Sequence, residues 1–406
     1  MIDVIRGHKV FMGVFVLIFF FNRVLLPSNL QFSILLVPFF VYYLLKEKQF
    51  YKSIRIIGVL FIIGLLGISR NTNLPDYIVS SFVLFSLMIF SHALYVNVRK
   101  VEDFGALIKR LTLINIALVI IALVCLFIPF LKPFFWYLIP FTSGYEVIPR
   151  LKLFELEASH YSLAIAPLFL YYFWKLLKKF NWRELFLFLS LFVSLILSFS
   201  LGVLGVLAIS ILLVLLSNFF NLIVRNNSRR ILFLLLSFTV IGLLLLYILF
   251  PDNPLFFRVS NVFSGEDTSS RGRTYEAFNI ALITLKEQSS EWFGIGLGQF
   301  KSLGKEVLIN FYKYPVEPTI IRLPNCMAET LVTYGYFGLI LKLAIQIILF
   351  FWLKVYLNIY RFSLFVSIFI YQFTGSFLFN TMEYILWVLC FSPIFNSFST
   401  KSFFKK

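Results

Sequence analysis

The sequence predicts an all-α, polytopic membrane protein, and three observations carry that expectation. Composition is the first: 60% of the 406 residues are hydrophobic and only 14% are charged, with a mean hydropathy of +0.91. A soluble chain is about half apolar and a quarter charged. The second is the length of the apolar runs, which match the ~20 residues a helix needs to cross ~30 Å of hydrocarbon. These runs are continuous, so they do not read as the alternating strands of a closed β-barrel. The third is charge, because the net +17 gathers in one set of short connections.

Twelve spans follow in order, over 10–26, 29–45, 54–68, 77–97, 111–131, 160–177, 184–200, 202–224, 231–250, 334–353, 362–379 and 384–399, in one integral membrane domain covering 1–406. At the N-terminus, "MIDVIRGHKV" and "FMGVFVLIFFF" have the order of a signal peptide. The following "NRVLLPSNLQ" offers no small-x-small cleavage site, so the first span is expected to stay uncleaved. Between the seventh and eighth spans, "SFSLGVLG" reads as a tight turn. Lys and Arg of short loops stay in the cytoplasm. With both termini inside, the inner connections carry "KEKQFYKSIR", "RKVEDFGALIKR", "KLLKKFNWRE", "RNNSRR", "KVYLNIYR" and the tail "KSFFKK", which leaves the outer side near neutral. This basicity is a topology signal facing anionic lipid headgroups; no aromatic-basic pattern argues for nucleic acid.

Two outer loops result, 132–159 and 251–333, and loops of such length carry functions of their own. The chemistry is therefore expected outside the cytoplasmic membrane. ATP and nucleotide sugars are absent there, so any bond formed must draw on a group already activated on the substrate. Cys125, Cys326 and Cys390 show no paired spacing, and the three histidines form no ligand pattern. Neither a disulfide framework, a metal site nor a cofactor is expected.

Within the long loop, "TSSRGRTYEAFNIALITLKE" (268–287) reads as one amphipathic helix capped by Ser269 or Ser270. Tyr275, Phe278, Leu282 and Leu285 form its apolar stripe. Arg271 and Arg273 then stand at the helix start, where backbone N–H groups favour an anion and guanidinium adds bidentate phosphate recognition. The alternative is a solvated loop face. "GIGLGQF" (294–300) lets the backbone turn sharply and approach something closely. At the end of the shorter loop, "YEVIPRLKLFELEASHYSLAIAP" gathers Arg150, Lys152, Glu155, Glu157 and His160. A carboxylate or imidazole at such a boundary suits general-base work, unless the charges only mark the span's end. In "IIRLPNCMAETLVTYGYFGLILKLAI", Arg322 and Glu329 flank the return to the membrane, and Lys342 lies inside it, where it must face protein or a cavity. Arg23 and Arg70 are candidates for the same positive cluster.

This pattern resembles the bacterial O-antigen and capsular polysaccharide polymerases, together with the related O-antigen ligases. About twelve spans with two functional outer loops resemble the family's architecture. Residues 271–338 carry the sharper likeness: Arg271 or Arg273, then Tyr275 and Phe278, the "GIGLG" turn, Asn325, and "GYFG" (Gly335 to Gly338) nine residues beyond. Glu157-Ala158-Ser159 is similar to the family's Glu-Pro-Ser stretch. Two positions depart: Pro324 stands where ligases have histidine before the Asn, and Ala158 replaces the proline.

The resemblance implies transfer of a growing glycan from undecaprenyl diphosphate to a sugar hydroxyl of the next lipid-linked repeat unit. In that reading Arg271 and Arg273 stabilise the leaving diphosphate, and Glu157 or Glu329 takes the acceptor's proton. Arg150, His160, Tyr275, Arg322, Asn325, Arg70 and Lys342 help bind substrate. Implied partners are a chain-length-determining co-polymerase and a flippase, besides the lipid-linked oligosaccharide and membrane lipid. Three rivals share features. A ligase has the same donor, but Pro324 counts against it. A flippase gains nothing from so long an outer loop. A polyprenyl-phosphate-sugar transferase carries an acidic pair in its first outer loop, which here is "LPSN".

Overall fold

A computed structural model describes residues 2–22, 31–55, 58, 72–101, 103–138, 149–218, 248, 260–261, 264–313 and 321–404. The apolar runs become helices: α1 (Ile2–Phe21), α2 (Val37–Lys46), α3 (Leu74–Val98), α4 (Phe104–Cys125), α5 (Ala158–Lys178), α6 (Trp182–Ser198) and α7 (Leu201–Ser217). After the polar segment, which holds α8 (Thr268–Arg273) and α9 (Tyr275–Glu287), come α10 (Cys326–Trp352), α11 (Ile359–Thr374) and α12 (Thr381–Phe391). Three of these, Leu74–Val98, Phe104–Cys125 and Cys326–Trp352, are long and apolar enough to cross a membrane. The expected spans 54–68 and 231–250 lie almost wholly outside the described residues, as do Arg23 and Arg70.

Helix α5 is the axis of the main core. Nearly every side chain from Ala158 to Leu177 is buried, packed among α4, α6, α7, α11 and α12. Several polar groups inside this core are paired, as an apolar setting favours. Tyr161 donates to Asn115 Oδ1 at 2.8 Å, and Trp174 Nε1 donates to Ser363 Oγ at 2.8 Å. Connections are set by side-chain caps. Asn181 Oδ1 accepts from Arg183 N at 2.9 Å to start α6, and Asp103 Oδ1 accepts from Ala106 N at 3.0 Å to start α4.

At "SFSLGVLG" the turn falls on Phe199, in the left-handed region with φ 51°, and Ser200. Gly202 and Gly205 lie inside α7 instead, and a Cβ on either meets nothing within 4 Å. They leave open space rather than making the turn.

The expected helix over 268–287 is two helices. Asp267 supplies the cap, accepting from Ser270 N at 2.6 Å, so neither Ser269 nor Ser270 is the start. Thr274 (φ −110°, ψ −111°) ends α8, and its hydroxyl bonds back to Ser270 O at 2.8 Å. Arg271 and Arg273 therefore occupy the last turn of α8 rather than a helix start. The buried face of α9 is also turned from the expected stripe. Ala277, Ile280, Ala281 and Leu285 pack on Ala328, Leu331 and Val332 of α10, while Tyr275 and Leu282 face outward. Two alanines permit the close helix approach that larger residues would block.

Helix α10 is broken at Gly335 (φ 65°, ψ −168°). Its halves fold against each other: Lys342 Nζ lies 3.0 Å from Cys326 Sγ, whereas sixteen residues of straight helix span ~24 Å. Residues 326–333, expected as the end of the outer loop, are thus helical, and the expected span 334–353 matches the second half. The "GIGLG" turn clamps this break. Ile295 N and Gly296 N donate to Val332 O and Thr333 O at 3.0 Å each, and Tyr336 N and Phe337 N return bonds to Glu291 O and Trp292 O. On its other side, Gln299 brackets Asn73 at the start of α3, accepting from Asn73 N at 2.6 Å and donating to Asn73 O at 3.0 Å.

Candidate functional site

A cleft of ≈ 480 Å³ opens where α5, α7, α8 and α11 meet. One wall is apolar and comes from α7, with Phe199, Gly202, Gly205, Val206 and Ile209. The rim is polar and includes Tyr137, Arg150, Glu157, Asp267 and Arg273.

Glu157 is the centre of the rim. It is the residue preceding α5, and its side chain makes no capping bond to the helix. Instead each oxygen takes a different guanidinium. Arg273 Nη2 lies 3.1 Å from Oε2, and Arg322 Nη2 lies 3.2 Å from Oε1. Ser159 Oγ donates to Oε2 at 3.3 Å. Burial works to raise the Glu157 pKa, but His160, Arg273 and Arg322 outweigh it and hold the carboxyl below the usual range.

Both arginines are held from behind. Asn325 is fully buried and has its amide committed: Nδ2 donates to Arg273 O at 2.7 Å and Phe373 O at 2.6 Å, and Oδ1 caps α10 through Met327 N and Ala328 N at 2.9 Å each. It is thus seated to position Arg273. The Arg322 guanidinium carbon lies 4.1 Å over the Phe377 ring, whose centroid is 5.3 Å from buried His160 in an edge-on contact. Arg150, paired with Tyr137 in the register of the two-residue strands β1 (Trp136–Tyr137) and β2 (Arg150–Leu151), stacks on that ring at 4.6 Å.

The two arginines of the sequence motif separate here. Arg271 points away from the cleft, bonding Glu276 Oε1 through Nε at 3.0 Å and lying 5.9 Å over exposed Tyr275. Buried Glu276 is also held by the Tyr312 hydroxyl at 3.1 Å. Glu329 and Lys342 belong to a second polar cluster behind the site. Glu329 Oε2 accepts from Leu378 N at 2.7 Å. Lys342 Nζ reaches Thr330 Oγ1 at 3.3 Å and Glu383 Oε1 at 3.9 Å. Glu383 in turn accepts from Ser376 Oγ and, at 3.4 Å, from Trp387 Nε1. This cluster secures the 375–380 turn that carries Phe377.

Phe377, Asp267 and Glu383 escape the sequence reading. Glu383 alone carried a usable signal, as the one acid in "GSFLFNTMEYILW" beside a span. Among the described residues no group of three His, Cys, Asp or Glu side chains has the arrangement of a metal site.

Two expectations follow from these contacts. A carboxyl with a depressed pKa stabilises the fold above its ordinary range and loses that contribution as pH falls through the lowered value. The difference in thermal stability between solubilised wild type and E157Q should be flat from neutral pH to about 5 and shrink below ~4. Replacing Lys342 with Met strands the buried Glu383 carboxylate and should cost ~2 kcal/mol, the separation of 3.9 Å moderating the loss. K342M/E383Q should recover part of it in thermal unfolding.

The model of the family described as O-antigen ligase matches residues 185–343. The matched stretch includes Arg271, Arg273, the glycine turn, Arg322, Asn325 and the Gly335 break, while Glu157 lies outside it. For this stretch the resemblance to the O-antigen polymerase and ligase superfamily holds. No curated protein matches the chain.

Proposed function

We propose that this chain is a membrane glycosyltransferase of the polymerase type, which joins lipid-diphosphate-linked oligosaccharide repeat units on the periplasmic side of the inner membrane. One observation carries the reading: two guanidiniums converge on a single carboxylate at the mouth of a cleft whose other wall is apolar helix. A glycosyl diphosphate on a prenyl chain has the matching order of groups. Its diphosphate suits Arg273 and Arg322, and the start of its chain suits the open face at Gly202 and Gly205.

The step needs no nucleotide and no outside energy. An acceptor sugar hydroxyl loses its proton to a carboxylate, and its oxygen attacks the anomeric carbon of the donor. The new C–O bond forms as the bond to the diphosphate oxygen breaks, and the electron pair leaves with the lipid diphosphate. That leaving group gains negative charge, which fixed guanidiniums stabilise without reorganising. Direct displacement inverts the anomeric centre. Undecaprenyl diphosphate is the expected carrier, with a flippase delivering units and a co-polymerase setting chain length.

The family description favours a second reading, an O-antigen ligase that moves finished polymer onto lipid A–core. Pro324 stands where the ligases carry histidine, which favours the polymerase. Deleting the gene in the native bacterium distinguishes the two. Collapse of the surface glycan ladder to one attached repeat unit supports polymerase; polymer persisting on its lipid carrier supports ligase. Units trapped on the cytoplasmic side would contradict both.

A further inference from the structure

Glu157 is held as a phosphate would be. Each carboxylate oxygen takes one guanidinium, Arg273 at 3.1 Å and Arg322 at 3.2 Å, through the planar, charge-assisted contacts that arginine also makes to phosphate. A diphosphate that is to use these arginines must therefore remove a carboxylate first. The surroundings allow this. The main chain of Arg273 is anchored through its carbonyl to Asn325 and the Arg322 guanidinium stacks on Phe377, so the segment that carries the first and the side chain of the second are held independently of Glu157. The Glu157 side chain has no capping duty, so its departure costs α5 no bond. Ser159 at 3.3 Å offers a hydroxyl that can accompany it.

We propose that Glu157 is a placeholder for the donor's diphosphate, and that its displacement from Arg273 and Arg322 by the arriving donor turns it into the base of the transfer step. The inference rests on the reading of this cleft as a lipid-diphosphate site. Between two guanidiniums the carboxylate is a poor proton acceptor. Once the diphosphate neutralises those guanidiniums, Glu157 lies beside negative charge instead, and like charge raises proton affinity. The acceptor hydroxyl then gives its proton to Glu157 as its oxygen attacks the anomeric carbon. The diphosphate departs with the bonding pair and takes that proton on its release, and Glu157 returns to the arginines. Base strength thus appears only when a donor is present.

The test is binding of farnesyl diphosphate to the purified chain in nanodiscs, comparing wild type, E157Q and R273A, beside glycan transfer with native lipid-linked units. If the arginines are free in about a tenth of the resting molecules, the placeholder weakens apparent affinity about tenfold. E157Q should therefore bind the probe about tenfold more tightly than wild type, while its transfer falls at least ~100-fold. R273A should bind more weakly than either. Equal or weaker binding by E157Q overturns the proposal and makes Glu157 a static tie between α5 and the loop. Binding by wild type that R273A leaves unchanged overturns the diphosphate reading itself, as does failure of all three to bind. Should E157Q not yield folded protein, E157D carries the test: a carboxylate one methylene shorter cannot span both arginines, so severalfold tighter binding supports the placeholder and unchanged binding refutes it.

Discussion

R273A is expected to abolish glycan transfer, with a rate loss of about 10²–10³, while the protein still inserts and folds. The magnitude is that of removing one preorganised donor to a developing anion. Arg273 is the motif arginine that lines the cleft, and its backbone carbonyl is held by Asn325. R271A should stay within about threefold of wild type, because Arg271 is turned toward Glu276 and Tyr275 outside the cleft. Rates measured on purified variants with lipid-linked units check both. An R271A loss equal to that of R273A would mean that the two arginines act together, against the geometry.

Gly335→Ala is expected to have the largest effect on stability, on the order of 3 kcal/mol or complete failure to fold. The backbone at φ 65°, ψ −168° is a region that residues with a Cβ avoid at a cost of ~1–3 kcal/mol. A Cβ there also collides with the backbone of Glu291 and Trp292. That neighbour cannot withdraw without breaking the bonds from Tyr336 N at 2.9 Å and Phe337 N at 3.1 Å. Gly202→Ala is the control. It meets open space within a helix and should change thermal unfolding by no more than about 1 kcal/mol, with the sign toward greater stability. Equal melting temperatures for G335A and wild type would contradict the clamp.

The helical membrane architecture is legible in the apolar runs because length and continuity of hydrophobicity are properties of single segments. What sequence periodicity misses depends on partners. Of the stripe Tyr275, Phe278, Leu282 and Leu285, Leu285 is buried and Phe278 packs against the core, while Tyr275 and Leu282 face outward and Ala277 and Ala281 take their place because small residues admit α10. The break at Thr274 arises from one side-chain-to-backbone bond that no periodicity records. Glu157 and Arg273 are each visible as charges near a membrane boundary, yet they lie 116 residues apart and nothing local says that they pair. The glycines of "GIGLG" are legible as a turn, whereas "GYFG" reads only as a motif at the start of an expected span. That the two segments interlock, each receiving the other's backbone, is a tertiary fact. Lys342 is legible as a buried charge in need of company, and Glu383 as an acid beside a predicted span, but nothing local pairs the two.

The most direct test of the central claim is reconstitution. Purified protein in vesicles is supplied with undecaprenyl-diphosphate-linked repeat units from its own bacterium, with chelator and without nucleotide, and the products are resolved on a gel. A ladder of joined units on the lipid carrier is expected, accompanied by stoichiometric release of undecaprenyl diphosphate and lost in R273A. Units that remain single under these conditions, or that join equally well in R273A, would contradict it.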